Sequence, residues 1–213
     1  MKTLLEYINE AIKPLNNGKT GIVVFDIDDT LIKADSSLIK IRKYIGGDKH
    51  NMVELSSDEY AKDPDVVDHK DWFDFSEFKN PAKVVTSIIN GTPLLKNLRI
   101  LDAYVNAGYE FCFLTARGCE DAVKYALSAI LKVRDADGVL ASIGNRFNMK
   151  LSAAVNDTNK HYKGSTDPEK KANVLSDLCS KFDKVVFVDD DRKNVAYARQ
   201  LNLKNLTVIQ AWK

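Results

Sequence analysis

The sequence predicts an α/β protein built on a parallel sheet, and three observations carry that expectation. Short, continuous apolar runs rich in β-branched residues recur at Gly21 to Phe25, Tyr109 to Leu114, Lys184 to Val188 and Asn205 to Ile209. A strand covered on both faces reads this way, because alternation disappears when neither face meets water. Each of the last three runs follows an amphipathic helical stretch, which is the grammar of helix crossovers between parallel strands. Finally, the runs stop abruptly in chemically active residues, at Asp26, Thr115 and Asp189. In an open α/β sheet, ligands bind just beyond the carboxyl ends of the strands.

Taken in chain order, Leu4, Leu5, Ile8 and Ile12 have helical spacing, and Pro14 with Asn16-Asn17-Gly18 ends that helix in a turn. The Gly21 to Phe25 strand follows. About eighty residues then separate it from the second strand, far more than one crossover needs, so an insertion is expected there. Within it, Ser37 to Arg42 alternates apolar and polar, and Met52 to Leu55 can pair back across Gly46-Gly47. An acidic, aromatic loop through Trp72, Phe73, Phe75 and Phe78 comes next. From residue 45 to residue 80, ten acids stand against four lysines, a net of −6, so the aromatic stripe reads as internal packing and not as a platform for bases. The expected division is a core of residues 1–32 and 92–213 and a small insertion of residues 33–91.

Thr92 before Pro93, and Thr166-Asp167 before Pro168, mark expected helix starts, since a side-chain oxygen caps free amides and proline is tolerated in a first turn. Gly108 is expected to close the helix that begins near Pro93. A further strand is expected within Asn148 to Val155; the stretch from Gly138 to Lys163 carries little pattern. There are no internal repeats or low-complexity segments.

Composition excludes several classes. The 213-residue chain is 45% apolar and 29% charged with a net charge of +1, which makes no whole-chain electrostatic case for nucleic acid or a membrane surface. No run approaches the ~18 apolar residues of a membrane span, and Glu6 interrupts any secretory apolar region, so a cytoplasmic protein without membrane association is expected. Cys112, Cys119 and Cys179 lack metal-ligand spacing, and their odd number argues against a disulfide framework. Cys119 near a helix start is the one thiol whose position could lower its pKa. His50, His69 and His161 show no ligand spacing and read as solvated. Oligomeric state leaves no signal in the sequence.

The sharpest chemical signal is Asp26-Ile27-Asp28-Asp29-Thr30-Leu31, directly after the first strand. Asp26 and Asp28 project to the same side of an extended chain, and two carboxylates in one small site call for a hard divalent cation. Asp189-Asp190-Asp191 follows its strand in the same manner, Thr115-Ala116-Arg117 supplies a hydroxyl and a guanidinium, and Lys170-Lys171 opens the helix before the Asp189 strand. Acids, a cation site, a hydroxyl and a lysine converging at strand ends suit phosphoryl transfer, where catalysis is positioning and charge neutralisation. An EF-hand is excluded, because counting from Asp26 puts Leu31 where glycine is needed and Ser37 where the bidentate Glu belongs. Asn17-Gly18-Lys19-Thr20 is a turn and not a P-loop, since Lys13 stands where the first glycine belongs.

In this order and at these strand ends, the residues resemble the four motifs of haloacid dehalogenase-like hydrolases, over residues 22 to 194. Asp26, Asp28 and Thr30 match the Asp-x-Asp-x-Thr motif, Thr115 the second, Lys170 or Lys171 the third, and Asp189 with Asp190 the fourth, with Asn194 in a supporting position. The resemblance implies a Rossmann-like doubly wound parallel sheet with a small cap-type insertion after the first strand. It also implies Asp26 as nucleophile, Asp28 as general acid and base, and Thr115 and the lysine as ligands of the transferring phosphoryl group. Mg²⁺ would be held by Asp26, the backbone carbonyl of Asp28, and Asp189 or Asp190. Thr30, Arg117 and Asn194 are substrate-binding candidates; Arg117 is either a bidentate phosphate ligand or solvent-exposed, and Asp191 either a ligand or a cap. Successive helical positions differ by about 100°, so only one of Lys170 and Lys171 readily faces the site.

The activity implied is Mg²⁺-dependent hydrolysis of a phosphate monoester through an aspartyl-phosphate. Gly108 to Arg117 and Phe182 to Asp190 are also similar to the phosphatase domains of phage polynucleotide kinase-phosphatases, which adds a nucleotide or nucleic-acid 3′-phosphate to the implied substrates. Two alternatives are a carbon–halogen hydrolase of the same superfamily and a phospho-acceptor switch resembling receiver domains. Asp28 argues against both, since neither uses a second acid at that position.

Overall fold

The computed structural model describes residues 12, 14–15, 18–35, 37–133 and 146–212. The helix expected over residues 3 to 13 lies outside the described residues except for Ile12, which is buried. Among the described residues there are ten strands: β1 (Gly21–Phe25), β2 (Ile32–Lys33), β3 (Ile41–Tyr44), β4 (Met52–Leu55), β5 (Phe73–Asp74), β6 (Thr92–Pro93), β7 (Glu110–Thr115), β8 (Ala153–Ala154), β9 (Lys184–Asp189) and β10 (Leu206–Gln210). Five form one parallel sheet in the order β10-β9-β1-β7-β8. The four apolar runs of the sequence are its β1, β7, β9 and β10. The described residues of the weakly patterned stretch contribute the two-residue edge strand β8, within the expected Asn148 to Val155.

Strand alternation splits the core into two layers. Val23, Phe25, Phe111, Phe113, Val186 and Val188 face one side, where they meet Ile100, Leu101 and Val105 of the Leu95–Asn106 helix and Val123 and Leu127 of the Glu120–Val133 helix. Ile22, Val24, Cys112, Leu114, Val185 and Phe187 face the other, against Leu175 and Leu178 of the Asp167–Cys179 helix and Ala198 of the Arg192–Gln200 helix. Helices therefore flank both faces of a parallel sheet, and β1 at its centre is buried at every residue. Each large apolar side chain removed from water in this way contributes roughly 1.5–3 kcal/mol.

Local signals explain the helix ends. Thr166 caps the Asp167–Cys179 helix as expected, its side chain accepting from the Glu169 amide while the Glu169 carboxylate accepts from the Thr166 amide. Gly108 ends the Leu95–Asn106 helix at φ 96°, where a side chain would be strained, and the Gly108 and Tyr109 amides return to the Val105 and Tyr104 carbonyls. The other expected helix start is corrected: Thr92 and Pro93 are extended and pair with Lys33 and Ile32, and the helix begins at Leu95. That pairing forms the two-stranded neck through which the insertion leaves and rejoins the core.

Inside the insertion, β3 pairs antiparallel with both β4 and β5. The hairpin turns at Gly46 and Gly47, both with positive φ. Its first strand starts at Ile41, later than the expected Ser37, because Asp35 and Ser37 form a side-chain-closed turn and the Lys40 amide donates to Glu77 Oε2 at 2.8 Å. The expected boundary at residue 91 also shifts in physical terms. Val84 and Ile88 of the Pro81–Ile89 helix lie in the same buried cluster as Val23 and Phe25, so this helix packs as part of the core. Among the described residues, no helix is long and apolar enough to cross a membrane.

Candidate active site

The register aligns Phe25 of β1 with Val188 of β9 and with Phe113 of β7, so the residues just beyond, Asp26, Asp189 and Thr115, gather at the carboxyl edge of the sheet. The Asp26 amide continues the ladder by donating to the Val188 carbonyl at 3.0 Å. After Asp26 the chain turns tightly: the Leu31 and Ile32 amides both donate to the Ile27 carbonyl, and Asp29 takes a left-handed φ of 55°. Such a conformation is most often tolerated by Asp and Asn among residues other than glycine.

Lys171 settles the choice left by helical spacing. Its Nζ lies 2.7 Å from Asp26 Oδ1 and 2.8 Å from Asp189 Oδ2, with all three side chains no more than 8% exposed. Lys170 instead donates to Asn156 Oδ1 at 2.7 Å. Burial alone would lower the Lys171 pKa, but the Asp26 and Asp189 carboxylates outweigh it and hold the amine protonated. Burial raises the Asp26 carboxyl well above the usual range; Lys171 opposes this, and the Asp189 and Asp28 charges reinforce it.

Asp189 is fully buried, and besides Lys171 it accepts from the Asn194 amide group and from the Asp191 backbone. The Asn194 Nδ2 thus reaches both oxygens of Asp189. Asp191 is the cap of the Arg192–Gln200 helix, accepting from the Lys193 and Asn194 amides. The buried Thr30 hydroxyl exchanges hydrogen bonds with Asp190, donating to Oδ1 at 3.2 Å and accepting from the backbone amide at 3.1 Å. Thr115 is buried at the end of β7, and its hydroxyl oxygen accepts from the Arg117 amide, which leaves its hydrogen to donate.

Arg117 is not solvent-exposed. At 1% exposure it is among the largest fully buried side chains, and it clamps Asp28 through Nε to Oδ2 at 2.8 Å and Nη2 to Oδ1 at 2.7 Å. Burial opposes its charge, and Asp28 more than restores it. The Asp28 side chain stays 37% exposed, so it alone of this pair faces the mouth of the site. Cys119 is not activated by its place before a helix, since burial and then the Asp157 charge push its thiol upward.

A metal fits the donor set. Oxygens of Asp26, Asp189 and Asp190 lie within 4.8 Å of one another, and hard oxygen ligands of this kind suit Mg²⁺. With Asp28, these acids outnumber the two buried cations beside them, Lys171 and Arg117. The Asp28 side chain stands outside this group of three.

Sequence reasoning missed Ser87, whose buried Oγ accepts from Arg117 Nη1 at 2.8 Å. Its position between Val84 and Ile88, on the apolar face of its helix, was the available signal. It also missed Asn156, which donates to the Ala116 carbonyl at 2.7 Å and to Asp167 at 2.9 Å and so ties the turn after β7 to the helix bearing Lys171. The insertion adjoins the same turn: the Gly118 amide donates to the Phe78 carbonyl, and the Cys119 thiol donates to the Lys79 carbonyl. No protein-family model matches the chain, and no curated protein matches it.

Proposed function

We propose that the protein is a haloacid dehalogenase-like phosphatase, a Mg²⁺-dependent hydrolase of phosphate monoesters in which the part of the insertion before Pro81 acts as a small cap. The observation that carries this reading is Lys171, buried between Asp26 and Asp189 at the carboxyl edge of the sheet. A lysine there neutralises phosphoryl charge while leaving one Asp26 oxygen without its contact. Asp26 attacks phosphorus, forming an acyl phosphate as the ester oxygen departs, and this divides one difficult displacement into two easier ones. Asp28, facing the mouth, gives its proton to the departing oxygen and then takes one from the water that hydrolyses the acyl phosphate.

Lys171 and the Thr115 hydroxyl stabilise charge on the phosphoryl oxygens. The buried Arg117 keeps the Asp28 carboxylate aimed at the leaving group. Asp26, Asp189 and Asp190 would hold the Mg²⁺ ion, which supplies further neutralisation of the phosphoryl group when bound. A nucleotide or nucleic-acid 3′-phosphate belongs to the proposed substrates on the strength of the sequence resemblance.

The test is hydrolysis of a small aryl phosphate with and without Mg²⁺ by the native protein and by Asp26→Asn. Magnesium-dependent turnover that the substitution abolishes is the expected result. Turnover that survives in Asp26→Asn would remove the nucleophile assignment. A phosphoprotein that accumulates without turnover would favour a phospho-acceptor switch.

A further inference from the structure

We propose that Ser87, which lies outside all four motifs, is a positioning residue: it fixes the guanidinium of Arg117 and through it the carboxylate that protonates the leaving oxygen. This inference rests on the phosphatase reading above.

Val84, Ser87 and Ile88 form the buried face of the Pro81–Ile89 helix, three and four residues apart. A serine that is 0% exposed must find partners for its hydroxyl, and Ser87 finds two. It donates to the Val84 carbonyl at 3.0 Å and accepts from Arg117 Nη1 at 2.8 Å. The guanidinium is planar and presents its donors in a fixed fork. Two of them, Nε and Nη2, grip both oxygens of Asp28, so Ser87 holds the opposite edge of the same plane.

Without the Ser87 hydroxyl, Nη1 keeps only the Val84 carbonyl at 3.5 Å, the outer limit of a hydrogen bond. A buried donor left so poorly paired draws the guanidinium toward any better acceptor, and the plane tilts. Because both Asp28 oxygens are bound to that plane, the carboxylate turns with it. Small misalignments of an acid–base group cost rate and not affinity when the group acts only in the transition state. The helix carrying Ser87 returns the chain from the insertion to the core.

The experiment measures single-turnover release of the leaving group from an alkyl phosphate and from a nitrophenyl phosphate, with saturating Mg²⁺, for native protein, Ser87→Ala, Ser87→Cys and Ser87→Thr. An alkoxide needs a proton in order to leave, and a nitrophenolate does not. Ser87→Ala is expected to slow alkyl phosphate cleavage about tenfold, within the range general acids contribute, with KM and the nitrophenyl rate changed less than about twofold. Ser87→Thr, which keeps the hydroxyl, is expected to restore the alkyl rate. Ser87→Cys preserves volume with a poor acceptor, and it must show the same selective slowing even where Ser87→Ala does not fold. Equal slowing on both substrates would mean a packing role only and overturn the inference, as would unchanged rates in Ser87→Ala and Ser87→Cys beside an active native enzyme. A native protein that cleaves neither substrate would instead overturn the phosphatase reading, and this inference with it.

Discussion

Replacing Lys171 with methionine tests whether one buried amine holds the site together. The substitution conserves apolar volume and removes the cation lying 2.7 Å from Asp26 and 2.8 Å from Asp189. Those carboxylates present oxygens within 4.8 Å of each other, and at an effective dielectric near 20 two unit charges so spaced repel by about 3.5 kcal/mol. That agrees with the roughly 3–5 kcal/mol lost when a buried pair is broken by removing one partner. Lys171→Met is therefore expected to lower the unfolding free energy by about 3–5 kcal/mol in the absence of divalent ions, measured by urea denaturation with an unchanged m-value. Mg²⁺ should then stabilise the variant, by about 2.7 kcal/mol at a hundredfold excess over its dissociation constant. A metal-free variant within about 0.5 kcal/mol of native would refute the account, because the carboxylates would then have another source of neutralisation.

Two further outcomes follow from the geometry. Arg117→Lys keeps the charge but cannot form the bidentate clamp on Asp28, and steady-state kinetics should show kcat reduced at least about tenfold; an unchanged kcat would deny Asp28 its need for orientation. Glu120→Gln disturbs a 1% exposed carboxylate that binds Lys124, Lys160 and the Tyr162 hydroxyl, and should cost about 1–3 kcal/mol at neutral pH. Burial alone would raise Glu120, but these partners hold it below the usual carboxylate value of 4.5. Its contribution is thus present above that value and lost as pH falls through the depressed one, so the destabilisation caused by Glu120→Gln should shrink in acid. A gap between variant and native that stays constant from neutral pH into acid would contradict this.

What was legible in the sequence was whatever depended on burial along a short stretch. β1, β7 and β9 announce themselves because a strand covered on both faces tolerates almost nothing polar until its end, and the site residues stand at those ends. Thr166 was legible as a cap because its partner Glu169 is three residues away. Thr92-Pro93 carried the same local signal and misled, since proline suits an extended strand as well as a first helical turn, and pairing with Ile32–Lys33 decided between them. Contacts made across the fold were silent. The preference for Lys171 over Lys170 is set by which face of the helix meets β1 and β9, and the Arg117 clamp joins residues 89 positions apart. Ser87 looked like any serine on a helix until the guanidinium arrived from another element. Thr30 and Asn194 matched their motif positions, but the Thr30 hydroxyl is paired with Asp190 and the Asn194 Nδ2 with Asp189.

The Pro81–Ile89 helix bears on how this molecule can be rebuilt. By chain order it closes the insertion, yet Val84 and Ile88 are packed with the sheet and Ser87 reaches Arg117. A graft joined at residues 38 and 80 would therefore exchange the β4-β3-β5 sheet while keeping Ser87 beside Arg117. A graft joined at residue 91 would remove part of the hydrophobic core and the support of the guanidinium in one step. The seam that packing draws thus runs inside what the chain presents as one insertion, ahead of its last helix.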